Sequence, residues 1–308
     1  PGVGTDPAIG TYAPIGQFAA RMLGIAFGVG LRAKLAQAYT YLIERWQPGD
    51  RIFIFGFSRG AFCARGLAGL LNSVGMLRPG SQNLVPYAVS LYAQSCESWS
   101  AERWDQLHSF SRTVARREDG KFAIPITYLG LWDTVSAPGI FKRSMQWPYA
   151  PSVPNALAGR HAVAIDERRR PYREYLIKYL GDQRLVDEAW FTGIHSDVGG
   201  DYADDDRLSD IALKWVIDGA AEHGLLLNTE KYQRYCSVEP TYAMGEIHRV
   251  NWLWALLIFR HRRIPDGAWI HASVADRMAE DDTYRPRLPQ RTTIIDSQWA
   301  SPATDIRM

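Results

Sequence analysis

From Leu31 onward, apolar residues fall at Leu31, Leu35, Ala38, Tyr39, Leu42 and Ile43, the three- and four-residue steps of one helical face, as far as Trp46. Pro48-Gly49-Asp50 ends that helix, and Arg51 to Phe57 is a short apolar run bounded by turn residues, which predicts a strand buried on both faces. The strand runs into Gly56-Phe57-Ser58-Arg59-Gly60. A second helical pattern follows at once, with Ala61, Ala64, Leu67, Ala68, Leu70 and Leu71 inward and an end near Gly75.

The pattern goes on to predict helices over Val85–Ser95 and Ala101–Arg117, and a buried strand over Ile124–Trp132 that ends on Asp133-Thr134. Ser136 to Pro154 is rich in proline, glycine and aromatics and reads as a long irregular connection. Ala156–Ile165 reads as a helix, and Glu188–Ile194 as a strand leading into His195. Leu208–Ala221 reads as a helix with Ile211, Ala212, Trp215, Val216 and Ala220 inward. Past Leu227 the alternation fades. Helices alternating with buried strands predict an α/β fold with a mostly parallel sheet flanked by helices. The expected division is a core over 1–224 and a C-terminal extension over 225–308, packed on the core and able to serve as a lid.

Composition narrows the class. The chain has 308 residues, 46% hydrophobic and 22% charged, which suits one sizeable core or two smaller ones. A net charge of +2 carries no nucleic-acid footprint, so no nucleic-acid partner is expected. Cys63, Cys96 and Cys236 have neither disulfide-framework nor metal-ligand spacing and suit a reducing, cytoplasmic compartment, with Cys63 packing as a small apolar residue. The opening residues lack the basic and apolar regions of a signal peptide, so any export would proceed without one. Val250 to Phe259 is about half the length needed to span a bilayer. It reads as a buried helix whose Arg260-His261-Arg262-Arg263 end is solvated; an interfacial helix making peripheral membrane contact is the alternative. Asp166-Glu167-Arg168-Arg169-Arg170 likewise reads as a solvated surface.

The candidate chemistry starts at Ser58. G-x-S-x-G between a buried strand and a helix is the setting of a nucleophile elbow, a sharp turn that exposes a serine hydroxyl. Gly56 and Gly60 are expected to remove side chains that would collide there. The order Ser58, Asp133, His195 is that of α/β-hydrolases, and each residue ends a predicted strand. His195 is the expected base and Asp133 its orienting acid, with the Arg59 N–H as one oxyanion donor. His161 remains a rival base, and Asp166, Asp187 and Asp197 remain rival acids. The aspartates at 201, 204, 205 and 206 lack the glycine-spaced calcium loop and read as a surface turn; no metal and no cofactor are expected.

Four stretches together carry a resemblance: Gly56-Phe-Ser-Arg-Gly-Ala61 with Ala64-Arg65, Leu129-Gly-Leu-Trp-Asp-Thr-Val135, His161-Ala-Val-Ala-Ile-Asp-Glu167 and Trp190 through Gly200. The chain resembles the α/β-hydrolase domain family of formerly unknown function that includes the first group of type VI secretion lipase effectors. The resemblance implies a serine esterase acting on lipid or another ester, and a phospholipase in the secreted members, with Ser58 as nucleophile, His195 as base and Asp133 as acid. Family members usually begin with a strand ending in Asp-Gly-Thr, ahead of a segment similar to Gly2-Val-Gly-Thr5. The sheet is therefore expected to lack its first strand, and with it the second oxyanion donor. Other readings are a hydrolase-fold binding protein with an incomplete site, and a soluble carboxylesterase or thioesterase.

Overall fold

The computed structural model describes residues 30–93, 100–117, 120–135, 147–181, 184–249 and 260–301. Expectations that fall on 1–29, on Cys96, on most of the 136–154 connection and on the 250–259 apolar run lie outside the described residues. Two compact units are built from the rest. One takes the described residues up to Thr127 with those of Ser136–Leu157 and Ile177–Gln183; the other takes Tyr128–Val135, Ala158–Leu176 and those from Arg184 on.

In the first unit, helix α1 (Leu31–Arg45) buries Leu31, Leu35, Tyr39 and Ile43, the face that the spacing predicts. Strand β1 (Phe53–Phe57) leads through Ser58 into α2 (Arg59–Ser73), whose inward face is fully covered from Leu67 to Leu71. Helices α3 (Val85–Tyr92) and α4 (Ala101–Val114) follow where predicted. Arg65, on the inner side of α2, is buried. Its Nε donates to the Ala150 carbonyl at 2.7 Å and its Nη2 to that of Pro151 at 3.0 Å, which satisfies a charge that burial would otherwise make costly.

The second unit holds a parallel sheet. Strands β2 (Tyr128–Trp132), β3 (Gly159–Ala164), β4 (Asp187–Phe191), β5 (Ala268–His271) and β6 (Thr292–Ile295) pair in that order, all parallel. Helix α6 (Arg207–Glu222) follows the short α5 (His195–Gly199) and covers one face. Tyr128 Oη donates to the Val216 carbonyl at 2.8 Å, and Arg160 donates to that of Trp215 at 2.6 Å. Val163, of opposite parity to Arg160 on β3, packs on the other face with Trp190, Ile264, Ile270, Val274 and Tyr284. Each large side chain buried in such a layer contributes roughly 1.5–3 kcal/mol.

Two expectations change here. Ala156–Ile165 is not a helix, because Gly159–Ala164 forms β3 in the middle of the sheet. With both faces covered, its small apolar residues show no alternation, and a short run of that kind carries no period that separates strand from helix. The residues past 224 are also more than an attachment: after α7 (Thr229–Cys236), β5, α8 (Ala272–Glu280) and β6 extend the sheet from β4. Among the described residues no helix is long and apolar enough to cross a membrane.

Candidate active site

Ser58 occupies the link between β1 and α2 with φ 59° and ψ −123°, a conformation that L side chains rarely adopt. Holding a non-glycine residue there costs on the order of 1–3 kcal/mol and persists only where the surroundings enforce it. Gly56 enforces it by its bareness, since a Cβ at that position would lie 2.6 Å from the Gly60 carbonyl oxygen and 2.7 Å from the Ala61 nitrogen. Gly60 differs from Gly56 in this respect. A Cβ there meets nothing within 4 Å among the described residues. The Ser58 carbonyl accepts the first bond of α2 from Phe62 N–H at 3.2 Å, so the serine stands at the helix N-terminus, where unpaired amides carry partial positive charge.

Asp133 and His195 meet in the second unit. Asp133 directly follows β2, has φ 38° and is wholly buried. His195 Nδ1 donates to its Oδ2 at 2.6 Å, and Ala164 N–H donates to its Oδ1 at 2.9 Å. Arg262 closes on the same carboxylate as a two-pronged fork, Nη1 to Oδ1 at 2.5 Å and Nη2 to Oδ2 at 2.8 Å. The two prongs also donate to the carbonyls of Ala164 at 2.8 Å and Tyr172 at 2.6 Å. Burial alone would push the Asp133 carboxyl up, but the Arg262 guanidinium and the hydrogen bond from His195 hold it well below the usual carboxylate range. The carboxylate is ionised and fixed.

His195 opens α5. Its backbone N–H donates to Glu167 Oε2 at 3.2 Å, and Tyr172 meets its ring edge-on with centroids 4.8 Å apart. With Nδ1–H committed to Asp133, the neutral ring presents its acceptor lone pair at Nε2. That is the tautomer a general base for a hydroxyl needs.

The rival residues have other partners. His161 is buried, with Nδ1 on Glu188 Oε2 at 2.8 Å and Nε2 accepting from Thr134 N–H at 3.1 Å, so both ring nitrogens are taken up by the fold. Asp187 opens β4, at the edge of the sheet opposite to the one that carries Asp133. Asp166 accepts from Gly193 N–H at 2.8 Å and Tyr284 Oη at 2.9 Å. Asp197 accepts from Ile194 N–H at 2.8 Å and binds His248 Nδ1 at 2.7 Å. In the acidic stretch, Asp205 pairs with Arg207 and Asp204 with His248. Among the described residues no group of three or more His, Cys, Asp or Glu is placed to hold a metal ion.

Two charged runs correct the reading of solvated surface. Glu167 is buried and paired with Arg169, and Arg262 is buried on Asp133 while Arg260, His261 and Arg263 stay exposed. Arg262 and Glu167 are the contributors that sequence reasoning missed. The residue types from Arg260 to Arg263 do not set Arg262 apart; in the folded chain exposure alternates from His261 to Ile264, with Arg262 and Ile264 inward.

Ser58 and Arg59 belong to the first unit, Asp133 and His195 to the second.

Comparison with known proteins places residues 1–219 within the model of the type VI secretion phospholipase effector, Tle1-like, catalytic domain family. An uncharacterised protein of Saccharomyces cerevisiae, YEL023C, is 33% identical over 157 residues, which is 50% of this chain and 22% of the yeast protein. Among solved structures, an uncharacterised protein from Pseudomonas aeruginosa aligns over 74% of this chain and 31% of its own, at 23% identity and a TM-score of 0.42. A Tle1 effector bound to the VgrG spike of the type VI secretion system aligns over 61% of this chain and 33% of its own, at 22% identity and a TM-score of 0.31. The chain thus spans between about a fifth and a third of the length of these proteins.

Proposed function

Given that the chain belongs to the Tle1-like catalytic domain family of type VI secretion phospholipase effectors, we propose that it hydrolyses carboxylic esters of phospholipids through Ser58, His195 and Asp133. The observation that carries this reading is the buried Asp133–His195 pair, with Nδ1–H on a carboxylate that stays ionised. A histidine held so is oriented to act as a base toward a hydroxyl, and Ser58 is the residue whose strained turn suits a nucleophile.

In the reaction, Ser58 Oγ attacks the ester carbonyl while His195 Nε2 takes the hydroxyl proton. The oxyanion that forms accepts from the Arg59 backbone N–H at the start of α2, and a lost donor of this kind typically costs about 100-fold or more in rate. Asp133 stays ionised and stabilises the imidazolium. Collapse of the tetrahedral intermediate breaks the bond to the leaving alcohol, whose oxygen receives the proton from His195, and leaves an acyl-serine. Water then attacks, gives its proton to His195, and releases fatty acid as Ser58 recovers its hydrogen. No cofactor enters any step. The substrate implies peripheral contact with a lipid surface.

A fluorophosphonate probe tests the reading on the purified chain. Labelling that disappears in Ser58→Ala is expected, together with fatty-acid release from phospholipid by the unaltered chain. A folded chain that does not label would sink the nucleophile assignment and favour a binding role for the fold.

A further inference from the structure

The second unit contains two adjoining cavities of about 520 Å³ and about 410 Å³, which share Asp166, Arg168, His261 and Tyr284 and so form one basin. Its rim is cationic. Arg168, Arg249, Arg260 and Arg287 line it and are exposed, and among the described residues no carboxylate stands within ion-pair distance of any of the four. The basin's other cations are already satisfied. Arg262 is bound to Asp133, Arg285 donates to backbone carbonyls and Asp282, and His248 holds Asp197 and Asp204.

One carboxylate, Asp166, stands among the described lining residues against the four arginines, and the Arg168 charge acts on it. Asp166 is engaged by Gly193 N–H and Tyr284 Oη, and burial pushes its carboxyl up, toward the neutral form. His261 reports the local field: burial, and then the Arg168 and Arg287 charges, push its pKa down. Two chain segments are tied side by side here by the bond from Arg260 N–H to the Arg168 carbonyl at 2.9 Å, so the backbone holds these two arginines together. Four like charges gathered round a concavity that holds a single carboxylate cost free energy, and an anion that enters recovers it.

We propose that this basin binds a phosphate group, carried by a phospholipid headgroup or by a soluble phosphoester, on Arg168, Arg249, Arg260 and Arg287. Phosphate is favoured over a carboxylate because several planar guanidinium forks need an acceptor with several oxygens directed to different sides. The apolar floor at Ile194 and Ile247 suits the carbon skeleton next to such a phosphate. Ile194 immediately precedes His195, so the basin lies on the segment that carries the base. As a headgroup site the basin rests on the esterase reading; as an anion site it does not.

The test uses the full chain with Ser58→Ala, so that binding is read without turnover. Inorganic phosphate and glycerol 3-phosphate are titrated by calorimetry, and vesicles of phosphatidylcholine alone or with about a third phosphatidylglycerol are used in flotation. The expected result is binding that weakens as salt rises and that falls about tenfold or more in Arg168→Gln/Arg260→Gln, consistent with loss of charge-assisted contacts. Arg249→Gln/Arg287→Gln, likewise at exposed positions, gives an independent variant should the first melt early. Binding of the soluble phosphates assigns a phosphoester site, and binding of the anionic vesicles alone assigns a lipid headgroup; either upholds the proposal. Absence of both, or binding that neither double variant weakens, overturns it. A wild-type chain that binds phosphate but takes no fluorophosphonate keeps this site and loses the esterase reading alone.

Discussion

Ser58 and Asp133 both follow a strand directly and both have positive φ, at 59° and 38°, yet the fold holds them by opposite means. The serine turn is steric: a glycine two residues before it leaves room for the Gly60 carbonyl and the Ala61 amide, and helix α2 begins at the next residue. The aspartate is electrostatic. It is held by an imidazole 62 residues away in sequence, a guanidinium 129 residues away and a backbone amide from the neighbouring strand. Local geometry suffices to aim a hydroxyl, whereas a buried charge needs partners from distant parts of the chain.

The largest effect is expected where the polar network is cut. Asp133→Asn keeps the shape but removes the charge that opposes the imidazolium, and leaves the buried Arg262 with Glu174 at 3.9 Å in place of its close ion pair. Turnover of a short ester should fall about 10⁴-fold, as expected when a triad acid is neutralised. A fall of less than tenfold in kcat would mean that another carboxylate orients His195, and the contrast between the two strand ends would collapse.

Arg262→Met addresses the same network from the other side. Removing one partner of a buried pair costs about 3–5 kcal/mol, so the melting temperature should drop clearly. Its acid sensitivity separates charge from packing. The Asp133 carboxyl is depressed in the folded protein, because Arg262 and His195 overcome the burial that would raise it. The unfolded chain takes up this proton near pH 4 and the folded chain only at lower pH. The stability that Asp133 contributes is therefore complete above about pH 4 and is lost as pH falls through its folded value. Without the guanidinium that value rises, so acid unfolding should begin at higher pH in the variant. An unshifted acid-unfolding profile would reduce Arg262 to a packing residue.

This contrast also explains what was legible in the sequence. The elbow is written in five consecutive residues, and helix, strand, turn and helix fall where periodicity puts them. Asp133 and His195 are legible as strand-ending residues expected to act together, but the sequence leaves His161, Asp166, Asp187 and Asp197 as rivals, because only the fold shows which side chains are taken up elsewhere. Arg262 was hidden inside a basic run that composition assigns to solvent, because charge predicts exposure until a buried counter-charge is known. Strand β3 was hidden for a related reason. Its alanines acquire their meaning from two covering layers, which no single stretch of sequence reveals. The same holds for β5 and β6, whose four residues each are too short for a period to declare itself.

The smallest expected effect bears on the steric side. The two glycines of the turn look equivalent in the motif but differ in space, which makes Gly56→Ala and Gly60→Ala a matched pair. At Gly56 a methyl group meets backbone on the far side of the turn at 2.6–2.7 Å, and backbone cannot swing away as a side chain can. The turn must open, and fluorophosphonate labelling should fall with it. At Gly60 the methyl group meets nothing within 4 Å among the described residues, and the position lies within the first turn of α2 without positive φ. Alanine there limits the freedom of the unfolded chain and should raise stability by about 0.4–1 kcal/mol. If labelling by a small probe survives in Gly60→Ala while hydrolysis of a long-chain phospholipid is lost, the glycine serves the approach of substrate and not the fold. If both survive, the second glycine of the motif has no steric task in this protein, and Gly56 alone keeps the turn sharp.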